Sequence, residues 1–239
     1  MAKGVILCGG LGTRLRPATR IVNKHLIPIG ATPMVLYPLE TLKFLGVDDI
    51  LIVTGGNHIG DFADFLGDGS DYGVKLTYKV QKDPGGIAQA LALAEDFAHG
   101  ESIIAVLGDN VFSNKHLLAR VLNTQRAKDE ACIFVKTVDD PERFGVISKE
   151  DGKYSIEEKP IEPKSDKAVI GLYIYPKSVF DVIKTLTPSA RGELEITDVN
   201  NHYCSEGKMS VVDIEETFWS DCGTPESLAR TTRWFLENQ

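Results

Sequence analysis

GVILCGGLGTRLRPAT at residues 4–19, followed by NKHLIP at residues 23–28, is the stretch on which the reading of the chain turns. Gly4-Val5-Ile6-Leu7-Cys8 is a short apolar, partly β-branched run, the pattern of a strand buried on both faces. It leads straight into Gly9-Gly10-Leu11-Gly12-Thr13-Arg14-Leu15. Glycines there permit φ > 0 and close approach, so that successive backbone N–H groups can face an anion. Arg14 adds a planar donor fork suited to phosphate, and Lys24 a second, point-like positive charge. A strand, a glycine turn and two nearby cations predict a triphosphate site. Two other glycine-loop readings fail on spacing. A dinucleotide fingerprint needs glycine where Leu15 stands, and a P-loop needs Gly-Lys-Ser/Thr where the chain has Gly12-Thr13-Arg14.

The 239 residues suffice for one large domain, and 43% hydrophobic content supports a substantial core. A net charge of −8 argues against nucleic acid or an anionic membrane as partner. An acidic protein that binds triphosphate must gather its cations locally or recruit a metal. No apolar run approaches the ~18 residues of a membrane span, and the start shows no signal-peptide pattern. Cysteines 8, 132, 204 and 222 form no C-x-x-C pair. The expectation is a reduced, cytoplasmic protein.

Along the first half, strands alternate with helices. Thr32-Pro33 reads as a cap and first-turn proline of a helix closed by Gly46, with Pro38 kinking or shortening it. Strands are expected at Ile50–Val53, at Val74–Val80 with a clean half-buried alternation, at Ile103–Leu107 and at Ala131–Val138. Helices are expected from Ile59, over about Ile87–Phe97 and over about Leu117–Arg126. The order predicts an α/β fold, a Rossmann-like, mostly parallel sheet with helices on both faces and its ligand at the strands' carboxyl ends. Gly9, Gln81 and Asp109 fall there. After about Asp139 the pattern shifts to short strands and Pro- and Lys-rich turns. Helices follow near Ser178–Leu186 and Glu195–Ser205, then a strand at Met209–Ile214 and a final helix capped by Thr224-Pro225. This half reads as an insertion packed on the sheet, in a single domain divided at about residue 138.

GG-x-GTRL-x-P-x-T and NK-x-L-x-P resemble the sugar nucleotidyltransferases, most closely their thymidylyltransferase branch. The resemblance continues through VQ…GGIAQA (80–90), LGDN (107–110), ERFGV (142–146), EEKP…PKS (157–165), GLYIY (171–175), RGELEITDVN (191–200) and W-x-D-x-GT (219–224). It implies a nucleotidyltransferase fold that joins dTTP to glucose 1-phosphate and releases pyrophosphate. UTP, another hexose 1-phosphate, or a non-catalytic nucleotide sensor of the same fold remain alternatives. The resemblance gives the second half the role of sugar-binding insertion.

Such a reaction needs little acid–base machinery, because a sugar phosphate is already ionised near neutral pH (second pKa about 6). The difficulty is electrostatic, so positioning, cations and a metal should carry it. By resemblance Arg14, Lys24, Lys159 and Arg191 are the catalytic cations. Leu7, Gly9, Gly10, Gly12, Thr13, Gln81, Gly86 and Asp109 join Arg14 and Lys24 around the nucleotide. Gln81 would read the pyrimidine edge, since an amide offers both donor and acceptor. Ile87, Leu107, Phe144, Gly145, Glu158, Lys159, Val169, Tyr173 and Trp219 would form the sugar side. On spacing alone Asp109 starts a turn and Asp221 lies near a helix start. The resemblance makes both ligands of a magnesium ion, Mg2+, completed by substrate phosphates. His25 departs from the glutamine that longer thymidylyltransferases carry beside the catalytic lysine. The chain also ends soon after the Thr224 helix, which withdraws the expectation of their feedback site and tetramer; a homo-oligomer stays open.

Overall fold

The computed structural model describes residues 2–113 and 130–238. The helix expected at about Leu117–Arg126 lies outside the described residues. In chain order the strands are β1 (Lys3–Cys8), β2 (Pro28–Ile29), β3 (Thr32–Pro33), β4 (Asp49–Gly55), β5 (Lys75–Gln81), β6 (Ile103–Leu107) and β7 (Val111–Phe112). They continue as β8 (Ala131–Thr137), β9 (Gly145–Glu150), β10 (Lys153–Glu158), β11 (Lys167–Tyr175), β12 (Met209–Asp213) and β13 (Trp219–Ser220). A nine-stranded sheet has the order β10-β9-β11-β6-β1-β4-β5, with β8 beside β11 and β12 beyond β8.

β1 runs parallel to β4 and β6, β4 to β5, and β8 to β12. β11 is antiparallel to β6, β8 and β9, and β9 and β10 form an antiparallel pair. Seven of the nine strands therefore share one direction, and only β10 and β11 oppose it. The mostly parallel sheet expected from the sequence is the sheet observed. Its apolar residues alternate between two cores. Val5 and Leu7 pack with helices Ile87–Ala92, Val179–Thr185 and Ile196–Ser205 on one face. Ile6 and Cys8 pack with helices Leu36–Phe44 and Ile59–Leu66 on the other.

Four local readings differ. Thr32-Pro33 is not a helix cap but the strand β3, paired with Pro28–Ile29. Backbone bonds from Met34 to Ile27 (3.0 Å) and from Val35 to His25 (2.8 Å) hold the chain there, so the helix starts only at Leu36. Pro38 then sits in the first turn, where its missing N–H has no helical partner to lose. The expected Ile87–Phe97 helix is two pieces, Ile87–Ala92 and Glu95–Ala98. On β5, the edge strand, Leu76 is buried but Val80 is 37% exposed and lines a cavity at the strand's carboxyl end. Finally, the strands of the second half do not pack on the sheet; they extend it, with β11 inserted between β6 and β9. The Thr224 cap is as expected. Its Oγ1 accepts from the Ser227 N–H, and Ser227 Oγ accepts from the Thr224 N–H, both at 3.1 Å.

Candidate active site

From β1 the chain steps outward through β4 to β5 and then returns to β6 on the opposite side of β1. A reversal of this kind leaves a crevice at the strands' carboxyl ends. A cavity of about 270 Å³ lies there, and it gathers Leu7, Gly9, Gly10, Lys24, Gln81, Gly86, Ile87, Leu107 and Asp109. His25, Pro84, Ala90 and Glu193 complete its wall. A second cavity of about 370 Å³ shares Gly9, Gly10, Lys24 and Gln81 and adds Arg16, Arg20 and Lys82. The acidic chain thus concentrates positive charge along one loop. Within that loop Gly12 takes φ of 60° and opens a single 3-10 turn, Thr13–Leu15. Glycine is favoured at such a left-handed position.

Lys24 Nζ lies 2.5 Å from Asp109 Oδ2, and Asn110 Nδ2 donates to Asp109 Oδ1 at 2.9 Å. Burial works to raise the Asp109 pKa, but Lys24, His25 and Asn110 together hold it below the usual carboxylate range. Asp221 accepts from Arg143 Nη2 at 3.0 Å, and Arg143 also pairs with Asp140. A Cβ at Gly223 would lie 2.7 Å from Arg14 Nη2 and 3.2 Å from Asp221 Oδ2, so Arg14 and Asp221 flank the same backbone. Burial pushes the Cys222 thiol up to about 11, with both Asp109 and Asp221 adding to the rise against bonds from Thr231 and Ser220.

Each of Asp109 and Asp221 offers the carboxylate oxygens that a hard cation takes. Among the described residues no group of three His, Cys, Asp or Glu side chains could hold a metal by itself.

The residues expected on the sugar side divide. Glu158 accepts from Thr197 Oγ1 at 2.5 Å and from Arg191 Nη2 at 3.3 Å, and Gly145 packs beside it. Arg191 is clamped by Glu195 through Nε (3.1 Å) and Nη2 (2.8 Å). Lys159 Nζ stands 3.6 Å from Glu158, half-exposed, on a backbone with φ of 46°. Strained backbone of that kind tends to gather at functional sites. Val169 and Tyr173 are buried in β11, and burial, with Glu158 and Asp109, raises the Tyr173 hydroxyl. Phe144 and Trp219 are placed apart. They meet edge-on at 5.6 Å within the core on the opposite sheet face and line another cavity with Arg143 and Asp221.

His25 is buried, with Nδ1 2.7 Å from Asn23 Oδ1. Burial, helped by Lys24 and opposed by Asp109, pushes its pKa from 6.5 down to about 3. The folded protein therefore holds a neutral imidazole while the unfolded chain takes a proton. Stability falls as pH drops from about 6.5 toward 3, by up to about 1.4 kcal/mol per pH unit. His25→Gln should lose about 2–3 kcal/mol less than the wild type between pH 7 and 4.5 in urea titrations. Equal losses would show that His25 titrates normally.

Asn110, Gln89, Thr197, Glu195 and Arg143 are the site residues that the sequence reading left unassigned. All five lie inside the quoted LGDN, GGIAQA, RGELEITDVN and ERFGV blocks, which was their only signal.

Fold and cleft define an α/β protein with a glycine loop and Asp109 at the carboxyl ends of its parallel strands, while Asp221 lines a separate cavity with Arg143. Residues 3–238 match the nucleotidyl transferase family, and the chain belongs to it. A glucose-1-phosphate thymidylyltransferase of Neisseria meningitidis is 44% identical over 95% of this chain and 80% of its own length. One of Mycolicibacterium smegmatis is 44% identical over 95% of this chain and 79% of its own. Among solved structures, a Bacillus anthracis protein assigned as a glucose-1-phosphate thymidylyltransferase, in complex with a sucrose, superposes with a TM-score of 0.91. It shares 47% identity over 98% of this chain and 95% of its own. A UDP-glucose pyrophosphorylase solved with UDP-glucose shares the fold at a TM-score of 0.86 and 23% identity, covering all of both chains. No described helix is long and apolar enough to cross a membrane.

Proposed function

We infer that the protein transfers a thymidylyl group from dTTP to glucose 1-phosphate. A phosphate oxygen of the sugar attacks the α-phosphorus, the bond to the bridging oxygen of the β-phosphate breaks, and pyrophosphate leaves with that electron pair. The products are dTDP-glucose and pyrophosphate. The observation that carries this reading is the common activity of curated relatives, at 44% identity over 95% of the chain, combined with a cavity that unites their kind of anion loop with Gln81.

In this reading the backbone of Gly9–Thr13, with Arg14 and Lys24, holds the triphosphate, and Gln81 and Gly86 meet the base. Glu158 accepts from sugar hydroxyls, and Lys159 meets the sugar's phosphate. Arg191, already clamped by Glu195, orients Glu158 as well as adding positive charge. Asp109 and Asp221 would hold magnesium, whose charge offsets that of the crowded phosphates. Lys24 and Arg143, which now pair with those carboxylates, would add positive charge for the substrates. A cytoplasmic setting suits the four buried cysteines, which need reducing conditions to stay thiols.

Purified protein with magnesium should release pyrophosphate from dTTP and glucose 1-phosphate, and more slowly from UTP. Crossing all nucleoside triphosphates with a panel of sugar 1-phosphates tests this. Equal or better turnover with GTP or ATP would overturn the base assignment.

A further inference from the structure

The Gln81 amide is held by a relay that begins at the backbone. The Gly85 N–H donates to Gln89 Oε1 at 3.1 Å, which fixes that atom as the acceptor. Gln81 Nε2 donates to the same oxygen at 2.8 Å and to the Gly86 carbonyl at 3.2 Å. An amide nitrogen carries two hydrogens, so both are used. Gln81 Oε1 is left facing Gly9 at the cavity wall; a Cβ on Gly9 would come within 2.3 Å of it. Gly85 is part of the same device. A Cβ there would lie 2.2 Å from Gln89 Nε2 and 2.6 Å from Oε1, so only glycine lets Gln89 close on the loop.

The geometry points to Gln89 as a positioning residue that locks Gln81 with its oxygen toward the cleft, so that the site accepts a base with a ring N–H and rejects one with a ring-nitrogen acceptor. This rests on Gln81 being the base reader. Thymine, uracil and guanine present a ring N–H on their pairing edge, whereas cytosine and adenine present a lone pair there. Turning the Gln81 amide over to suit cytosine would set its oxygen against two acceptors, Gln89 Oε1 and the Gly86 carbonyl. Each hydrogen bond forfeited weakens that arrangement, and an acceptor set against an acceptor weakens it further. Gln89 therefore selects among bases without touching one.

Equilibrium dissociation constants for dTTP and dCTP, measured by titration calorimetry, test this independently of turnover. Gln89→Met removes the acceptor at similar size, while Gly85→Ala displaces Gln89 without altering it. Both should bind dCTP more tightly than the wild type does and cut the preference for dTTP by about tenfold or more, one forfeited pairing of about 1.4 kcal/mol. Gln89→Glu still accepts from both N–H groups and should keep the wild-type preference. A wild-type preference in Gln89→Met and Gly85→Ala would overturn the assignment. Equal weakening of both nucleotides in those variants would do so too, since that is the mark of a merely structural residue. Gln81→Met separates the underlying reading: if it keeps the preference, Gln81 is not the base reader. If it loses the preference while the Gln89 and Gly85 variants keep it, only the relay fails.

Discussion

Asn110→Ala is expected to lower stability by about 3–5 kcal/mol, up to about half of what a domain of this kind commands. The side chain is 2% exposed and all of its donors and acceptors face inward. Its Oδ1 accepts from the Gly171 N–H at 2.9 Å and from Trp219 Nε1 at 2.7 Å, and its Nδ2 holds Asp109. Gly171 lies where the pairing of β11 with β8 breaks between Val169 and Tyr173, so its N–H looks to Asn110 for a partner. A Cβ on Gly171 would come within 2.7 Å of Asn110, so the backbone is bare there to admit the amide. Alanine strands two buried donors, each at about 1–3 kcal/mol, and leaves a small void. Urea titration measures the loss, and Tm should fall by about 10 °C. Trp219→Phe removes one of those donors, so the double variant should cost about 1–2 kcal/mol less than the two singles summed. A loss below about 1 kcal/mol in Asn110→Ala would mean that water replaces the amide freely.

The same residue shows where sequence reading stops. The strand preceding the anion loop was legible because Val5, Ile6, Leu7 and Cys8 must satisfy two apolar faces at once, and they do. The alternation of strands and helices then carried Gly9, Gln81 and Asp109 to one edge without knowledge of any contact. Local chemistry failed where tertiary bonds outbid it, as at Thr32-Pro33, which a hairpin claims from the helix. Propensity could not show that β11 enters the sheet against the others, because strand direction leaves no mark on composition. Partners distant in sequence were hidden for the same reason. Asn110 reaches residues 61 and 109 positions away, and Glu158 meets Thr197 across 39. The family resemblance named Phe144 and Trp219 beside the sugar, yet their rings pack on the opposite sheet face from Tyr173. A motif records that a block is kept, not which of its atoms faces the cleft.

Asp221→Asn should lower kcat by about 10²-fold, comparable to losing one preorganised contact to the transition state. Asparagine keeps the size of the side chain and removes the charge that a hard cation requires. The fold should survive. Arg143, which bonds Asp221 at 3.0 Å, keeps Asp140 as its partner, so no buried cation is stranded. A loss of charge on Arg143's neighbour could itself disturb the cleft, and Asp140→Asn controls for that. It loosens the same arginine but lies outside the assigned metal ligands, so its magnesium dependence should match the wild type. Turnover measured across a magnesium series then separates the two effects. Asp221→Asn should need far more magnesium for half-maximal rate and recover part of its loss at high concentration by mass action. Near-normal turnover of that variant at limiting magnesium would remove Asp221 from the metal site. A defect identical at every magnesium concentration would do the same and leave Asp221 as the anchor of Arg143. An unfolded variant would instead make Asp221 a structural carboxylate at the start of the last helix.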